Sequence, residues 1–374
     1  MIRLERRPAP SRFWSYMTPV LAVALTVVAG ALLFWALGYP AGAALYQFFV
    51  TPVETGYMRA ELLVKATPLV LIGVGLAIGF RAGVWNIGAE GQLLMGALGG
   101  GAVALAFWNE DVPGLIVLMM LAGAASGAAY AAIPALLKTR FNVNEILSSL
   151  MLTYVAGLII SIMIYGPLRD PQGYGFPQSR IFHPAATLSP ILEGTRLHFG
   201  AVIALVAAGL AWLAMARSLF GFQVKVVGQA PQAARYAGFS QPRMVWIGML
   251  LGGALAGLAG VIEVAGPVRQ LNDSISPGYG FTAIIVAFLG RLHPVGVAIA
   301  GVVIAMSYIG GENAQIMVGM PLAVTGVFQG MLLFFLLGSD LLIRYRIRLR
   351  KPGVAARPAA EPVPAVAEPR VESA

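Results

Sequence analysis

The densest group of polar side chains lies between two apolar segments, in the glycine-rich residues 79–92. Arg81, Asn86, Glu90 and Gln92 stand in this stretch. A carboxylate at membrane depth is costly unless it is paired or hydrated, and Arg81 is the nearest candidate partner of Glu90 in the sequence. Glycines allow close backbone approach and broken helices. The stretch predicts a polar break that could face a ligand, with a plain turn of solvated charges as the alternative.

A second group, residues 276–281, stands before an unusually short apolar run. Ser276 is a good helix N-cap, and Pro277 is a good first helical residue. The run ends at Gly290 and gives only about 21 Å of helix, which is less than a full membrane crossing. Short or broken helices are typical of the substrate path in transporters. A tilted or thin span is the alternative interpretation.

A third group lies in the long polar connection 217–243, where Pro231 suits a first helical turn and Gly238 a helix end. The sequence therefore predicts a short helix inside this connection. Its small face could seat in a groove of a soluble partner protein. This face consists of Ala233, Ala234, Tyr236 and Ala237. A surface helix without a partner is the alternative.

Several chemistries have no motif in this sequence. Cysteine is absent, and His183, His198 and His293 stand too far apart to suggest a metal cluster. The sequence contains no phosphate-binding loop, nucleophile elbow or zinc-protease helix motif. We therefore expect a transport protein rather than an enzyme, with no metal or cofactor of its own and with any ATP bound by another chain.

Membrane helices must position these groups. Of the 374 residues, 58% are hydrophobic and only 11% are charged, whereas a soluble domain has about 25% charged residues. A helix needs about 20 mostly apolar residues to cross a bilayer. The sequence predicts an all-α, polytopic membrane bundle of about ten transmembrane helices in two pseudo-repeated halves. The predicted spans are residues 17–37, 62–80, 88–107, 113–137, 145–165, 199–216, 244–265, 277–290, 294–309 and 321–341.

The two ends of the chain differ from this central region. Residues 1–16 are expected to be a cytoplasmic segment, and residues 17–343 the transmembrane domain. The first span could be mistaken for a signal peptide, but its apolar core is too long for one. Residues 344–374 begin as a basic stretch and continue as a tail rich in proline and alanine. This tail has too little apolar bulk to fold, so we expect a disordered cytoplasmic tail.

The net charge of +9 does not indicate nucleic-acid binding, because the basic residues stand in short clusters between apolar runs. Such clusters set membrane orientation, since loops rich in Lys and Arg stay in the cytoplasm. An even number of spans puts both termini inside, together with most of the 25 lysines and arginines. Few basic residues fall outside, namely Arg59, Arg169, Arg180, Arg196 and Arg269. The external connection 166–198 is either a docking surface for an extracytoplasmic partner or a plain loop.

Four motifs in this order resemble the permease subunits of bacterial ABC importers for branched-chain amino acids, ribose and nucleosides. They are residues 79–92, 144–152, 231–238 and 276–281. The sequence is most similar to the nucleoside or simple-sugar branch, over about residues 62–341. The resemblance implies a multi-pass protein of the bacterial inner membrane. Its partners would be membrane lipid, a second permease that is identical or homologous, cytoplasmic ATPase subunits and an extracytoplasmic substrate-binding lipoprotein.

The resemblance also implies the site residues. The ATPase would dock on a coupling segment that contains Gly228, Pro231, Ala233, Ala234, Arg235, Tyr236 and Gly238. In the substrate path, a nucleoside needs hydrogen bonds to its ribose and a flat surface for its base. Asn86, Gln92 and Asn144 could supply the hydrogen bonds, and Glu90 belongs to the same path. The candidate flat surfaces are Trp85, Tyr154, Tyr279 and Phe281.

Two other functions stay open. An ion-gradient-driven secondary transporter would use buried carboxylates, for which the spans offer chiefly Glu90, Glu145 and Glu263 near their ends. The second alternative is an ABC permease for branched-chain amino acids. A membrane enzyme would need a nucleophile or metal constellation, which the sequence lacks.

Overall fold

The computed structural model describes residues 2–7 and 11–349. Nearly all regular structure in this part of the chain is helical. The α-helices are α1 (Arg12–Ala36), α2 (Ala41–Phe49), α3 (Thr51–Glu54), α4 (Gly56–Arg81), α5 (Ala89–Ala106), α6 (Leu115–Phe141), α7 (Glu145–Tyr165), α8 (Gly200–Arg217), α9 (Leu219–Gln229), α10 (Pro231–Tyr236), α11 (Gln241–Glu263), α12 (Tyr279–Leu289), α13 (Pro294–Val318) and α14 (Ala323–Arg344). A 3₁₀ turn lies at Pro184–Ala186, and a π-helical turn at Val264–Val268 extends α11.

Each predicted span coincides with one of these helices. In the described residues, 8 helices are long and apolar enough to cross a membrane. The two remaining predicted spans are α5 and the 11-residue α12. The fold is therefore the predicted polytopic helical bundle, in which α5 and α12 depart from full-length spans. The sequence does not predict the short helices α2 and α3 between the first two spans.

A two-stranded ribbon joins the two ends of the chain. Strand β1 (Ile2–Arg6) pairs antiparallel with β2 (Tyr345–Leu349) along its whole length. Neither strand is predicted from the sequence, since both are short and interrupted by arginine. The pairing places both ends of the described chain on the same side of the bundle, as an even number of crossings requires. The tail residues 350–374, expected to be disordered, lie outside the described residues.

Helix α4 lies at the centre of the bundle and is buried along most of its length. It packs against α8, α11, α12 and α13, whereas α1 packs against α14 at the periphery. A helix that is apolar on all sides is what a central position in a membrane bundle requires. This central helix carries Glu61 and Lys65 near one end and Arg81 at the other.

Glycines let α5, α6 and α11 cross in backbone contact. Gly96 of α5 and Gly127 of α6 both lie against Gly257 of α11, and a methyl group on any of them would overlap neighbouring backbone. Small residues make such approach possible, and close packing stabilises helix pairs within membranes. The crossing fixes the position of α5, and with it Glu90 and Gln92 at its N-terminal end.

Helices α9 and α10 mark one end of the bundle, which we call the α9–α10 end. The last residue of α4 and the α12–α13 connection lie there too, because Arg81, Lys225 and His293 line one cavity. The long connection between α7 and α8 lies at the opposite end. There the indole Nε1 of Trp108 donates to the carbonyl of Ile181 at 2.9 Å.

Candidate functional site

The helix break predicted in residues 79–92 is present. Helix α4 ends at Arg81, Gly83 takes a φ of +76°, and the next residues are extended until α5 begins at Ala89. The positive φ at Gly83 favours glycine because other residues are strained in that region. The extended residues leave the α9–α10 end and return into the bundle.

The path of this extended stretch follows α11. Val84 lies beside Gly248, and the Asn86 side chain lies beside Gly252, one turn further along the same helix. Helix α5 therefore starts within the bundle rather than at its end. A helix terminus at that depth exposes unsatisfied backbone groups, which is the arrangement that transporters use at substrate sites.

Asn86 and Gln92 form a closed amide pair. The Asn86 Nδ2 donates to Gln92 Oε1 at 2.8 Å, and the Gln92 Nε2 donates back to Asn86 Oδ1 at 3.1 Å. The same Asn86 oxygen accepts from the Gly88 amide at 3.0 Å. Both side chains are buried. The pair stabilises the break, because each buried amide satisfies part of the hydrogen-bonding capacity of the other.

Glu90 caps the N-terminus of α12 from another helix. Its Oε2 accepts from the Gly280 amide at 2.6 Å, and Ser276 and Gly278 also bond its carboxyl group. A negative charge at a helix N-terminus is stabilised by the unpaired amides and the helix dipole. A methyl group on Gly280 would overlap the backbone of Glu90. The polar groups of residues 79–92 and 276–281 are thus in direct contact.

Two expectations about these groups were wrong in detail. Arg81 does not pair with Glu90, because the extended stretch carries Glu90 away from the end of α4. Helix α12 begins at Tyr279, so Pro277 is not its first residue. Ser276 still acts at this end, since its Oγ accepts from the Tyr279 amide at 3.0 Å.

A second polar cluster, the Lys65 cluster, lies beyond the α12 N-terminus, towards the end opposite α9 and α10. The Lys65 Nζ lies 3.0 Å from a carboxylate oxygen of Glu312 and 6.0 Å from the centre of the Tyr279 ring. Tyr308 packs edge-on against Tyr279, with ring centres 5.6 Å apart. Glu263 is buried nearby, where it senses the charge of Lys65. Charged and aromatic groups therefore converge in the half of the bundle furthest from α9 and α10.

Tyr279 is the centre of this cluster. Its side chain is fully buried, and its hydroxyl has no hydrogen-bond partner among the described residues. A buried hydroxyl without a partner costs free energy, so such a group in a native site calls for an explanation. The Tyr308 hydroxyl, in contrast, bonds Thr282 at 2.8 Å. Tyr279 is predicted from the sequence, whereas Tyr308, Thr282 and Glu312 are not, because only the tertiary structure brings them to it.

An ion pair lies beside the Lys65 cluster, at the end of the bundle opposite α9 and α10. The Arg196 Nε donates to Glu61 Oε1 at 2.9 Å, and its Nη2 bonds the other oxygen of the same carboxylate. Glu61 raises the pKa of Arg196. The neighbouring His198 accepts from the Gly200 amide at 3.1 Å through Nδ1, and burial lowers the pKa of His198 to about 4. This imidazole is therefore neutral near pH 7.

The structure does not bring the other proposed path residues to the same place. Trp85 stacks with Phe288, at a ring distance of 6.1 Å, on the side of the break towards α9 and α10. Phe281 is partly exposed on α12. Asn144 caps α7 by accepting from the Ile146 amide at 2.9 Å, and Tyr154 is exposed on the same helix. Helix α7 packs on α5 and α6, so α5 separates these two residues from α12.

The coupling segment forms the predicted short helix. Pro231 begins α10, and Gly238 ends the turn with a φ of +78°. Ala234 is buried, whereas Tyr236 is 95% exposed. The whole small face is thus not available to a partner protein, because Ala234 is buried in the chain's own interior. Ala233, Arg235 and Tyr236 remain exposed.

Helix α9 connects this segment to the helix break. Gly228 lies directly on the carbonyl of Arg81, where α4 ends, and a methyl group on Gly228 would overlap that oxygen. Val224 and Val227 of α9 are buried. The α9–α10 segment therefore rests on the start of the extended stretch that leads to Asn86 and Glu90.

Comparison with known proteins decides the family. The profile described as "Branched-chain amino acid transport system / permease component" matches residues 58–337. The chain belongs to this permease family. The match begins in α4 and ends in α14, so it contains the helix break, the Lys65 cluster and the coupling segment. The elements outside it are α1, α2, α3 and the β1–β2 ribbon.

Relatives of this permease agree with the assignment. The glucose ABC transporter permease protein TsgB13 of Haloferax volcanii is 38% identical over 92% of this chain and 93% of its own length. The guanosine ABC transporter permease protein NupP of Bacillus subtilis is 33% identical, over 90% of this chain and 97% of its own length. The PsaBC structure from Streptococcus pneumoniae in complex with Fab aligns at a TM-score of 0.44 and 12% identity. The family match and the two permease relatives identify the chain as a multi-pass membrane protein and a permease of an ABC importer.

Proposed function

We propose that this permease translocates a nucleoside or a simple sugar that an extracytoplasmic binding lipoprotein delivers. Relatives named for glucose and for guanosine support this substrate class. Its partners would be a second permease subunit, identical or homologous, and cytoplasmic ABC ATPases that hydrolyse ATP, for which this sequence has no binding motif. The location would be the bacterial inner membrane.

The contact between Gly228 and the Arg81 carbonyl is the observation that carries the proposal. An ATPase that moves α10 would push α9 against the end of α4. The extended residues after Arg81 would pass that displacement to Asn86 and Glu90, and Glu90 bonds the first turn of α12. Elements in direct backbone contact transmit such shifts, because protein interiors are dense.

The Lys65 cluster supports a path for a polyhydroxylated ligand. Sugar hydroxyls are both donors and acceptors, so they suit a carboxylate, an ammonium group and a phenol at close quarters. Glu263 and the unpartnered hydroxyl of Tyr279 offer an acceptor and a donor. The rings of Tyr279 and Tyr308 provide apolar faces for a sugar or a base. We assign the substrate-proximal role to Tyr279 and Glu263, and a supporting role to Asn86 and Gln92.

Charge distribution supports an orientation with both termini in the cytoplasm. The α9–α10 end carries Arg217, Lys225, Arg235 and Arg243 in one connection. Loops rich in Lys and Arg stay on the cytoplasmic side. In this orientation the Lys65 cluster and the Glu61–Arg196 pair face the side from which a binding protein would deliver substrate.

Two exposed tyrosines allow a matched test of the coupling role. Tyr236 in α10 is 95% exposed and Tyr174 at the opposite end is 98% exposed. In proteoliposomes with the complete transporter, Tyr236→Ala is expected to lower ATP-dependent uptake and the amount of co-purified ATPase by about tenfold, as loss of a central interface aromatic does. Tyr174→Ala is expected to leave co-purification of the ATPase unchanged. Wild-type uptake by Tyr236→Ala would remove α10 from the mechanism.

The family assignment decides against the secondary transporter, because relatives of this chain are ABC permeases. Branched-chain amino acids remain the second candidate substrate, since the matching family carries that description. Uptake competition distinguishes the two classes. Unlabelled nucleosides or sugars are expected to block uptake, and competition by leucine or valine alone would contradict the proposed substrate class.

A further inference from the structure

A basic cavity at the α9–α10 end has no part in the mechanism above. It has a volume of about 270 Å³ and lies between the end of α4, the last turns of α8, the α9 helix and the start of α13. Arg81, Lys225 and His293 line it, together with Gln229 and Trp212. No Asp or Glu is among the residues that line this cavity. Such a concentration of like charge is unfavourable unless an anion balances it.

The basic side chains of the cavity have no protein counterion. In the described part of the chain, neither hydrogen bonds nor ion pairs are made by the side chains of Arg81, Lys225 and His293. Arg291, two residues before His293 in the same connection, differs because it is paired with Asp340 at 3.0 Å. Burial and the charges of Arg81 and Lys225 lower the pKa of His293, so the positive charge of the cavity comes from Arg81 and Lys225. The cavity is thus suited to a negatively charged ligand.

The position of the cavity indicates which kind of anionic ligand it binds. It lies where α4 and α8 end and α13 begins, which is the level of lipid headgroups for a bundle that spans the membrane. Trp212 on α8 is partly exposed at its rim, and tryptophan is enriched at this interface. The amide end of α13 also faces it, since His293 and Pro294 are its N-cap and first residue. Met215 offers an apolar wall on α8 for an acyl chain.

We propose that this cavity binds the phosphate group of an anionic phospholipid. Basic pockets between membrane helices bind acidic headgroups, and each Lys or Arg near the surface adds about fivefold to affinity. The bound lipid would touch α4, α9 and α13 at once, next to the contact of Gly228 with Arg81. It would hold α9 against the helix break and so maintain the coupling between the ATPase and the bundle.

Native mass spectrometry of the purified full chain tests this site. With phosphatidylglycerol and phosphatidylcholine at equal concentration, the wild type is expected to retain phosphatidylglycerol preferentially. Lys225→Gln with His293→Gln is expected to reduce that retention by at least about fivefold. Arg217→Gln is the matched control, because Arg217 is a basic residue at the same end of α8 that does not line the cavity. It is expected to retain the lipid as the wild type does.

Three results would overturn the proposal. Equal loss of lipid in Arg217→Gln and in the double variant would indicate general charge attraction rather than a site. Displacement of the lipid by millimolar inorganic phosphate, with phosphate bound in its place, would assign the cavity to a free anion. Loss of the lipid when the ATPase subunits are added would assign it to a carboxylate of that partner. Size-exclusion profiles matching the wild type establish that the double variant is folded.

Discussion

The backbone of Gly228 in α9 lies against the carbonyl oxygen of Arg81 at the end of α4, with no room for a side chain between them. This contact joins the two regions that the sequence marks as functional. Gly228 is the first residue of the coupling segment, and the helix break begins directly after Arg81. A displacement of α9 therefore acts on the residue from which the extended stretch departs.

Gly228→Ala tests this contact. The added methyl group must move α9 or the end of α4, and overpacking of this kind costs roughly 1–3 kcal/mol. We expect ATP-dependent uptake to fall by about tenfold while membrane insertion is retained. Gly209→Ala in α8 is the control, because a Cβ there meets nothing within 4 Å. Comparable uptake by Gly228→Ala and the wild type would show that the contact does not transmit movement.

The amide pair of Asn86 and Gln92 predicts coupled stability effects rather than a binding defect. Removing either side chain leaves a buried amide without its partner, at a cost of about 1–3 kcal/mol. Asn86→Ala and Gln92→Ala are each expected to lower the thermal unfolding midpoint, and the double variant to lose less than the sum of the two. Strict additivity, or a change in substrate affinity at full stability, would contradict the supporting role.

Tyr279→Phe separates substrate contact from packing. The Tyr279 hydroxyl has no partner in the described chain, so its removal is expected to leave stability unchanged or slightly higher. If it bonds a substrate hydroxyl, the KM for uptake is expected to rise by roughly fivefold. Tyr308→Phe serves as the comparison, because it breaks the 2.8 Å bond to Thr282 and is expected to lower stability. A wild-type KM for Tyr279→Phe would remove this hydroxyl from the path.

Burial of His198 predicts lower stability in acid. The pKa of His198 falls from 6.5 to about 4, so the unfolded chain binds a proton at higher pH than the folded chain does. The stabilising effect of the neutral imidazole is complete above pH 6.5 and is lost as the pH falls towards 4. The loss amounts to about 3 kcal/mol in total. Thermal unfolding between pH 7 and pH 4 is expected to show this slope, and His198→Gln is expected to flatten it. An equal slope in both proteins would assign the acid sensitivity to other groups.

Local signals in the sequence predict the helices and the ends of α10. Long apolar runs locate the spans, and Pro231 and Gly238 fix α10 because each has few other uses in a helix. The same signals do not give the partners of charged groups. Glu90 reaches Gly280, far away in the chain, only because the extended stretch returns into the bundle.

Long-range contacts set the rest of the site. Lys65 stands in α4 and Glu312 in α13, far apart in the sequence, so their 3.0 Å ion pair depends on how these two helices meet. The buried side of α10 likewise depends on where the core lies. Residue spacing alone therefore does not predict that Ala234 is buried and Tyr236 exposed. The β1–β2 ribbon depends on both chain ends emerging together.

Accessibility labelling tests the central claim, that the α9–α10 segment faces the ATPase, most directly. The chain contains no cysteine, so Tyr236→Cys and Tyr174→Cys each introduce a single thiol at a position that is at least 95% exposed. With a membrane-impermeant maleimide on intact spheroplasts, the Tyr174→Cys protein is expected to be labelled, and the Tyr236→Cys protein only after lysis. Labelling of Tyr236→Cys in intact spheroplasts would place α10 outside the cell, where no ATPase can reach it.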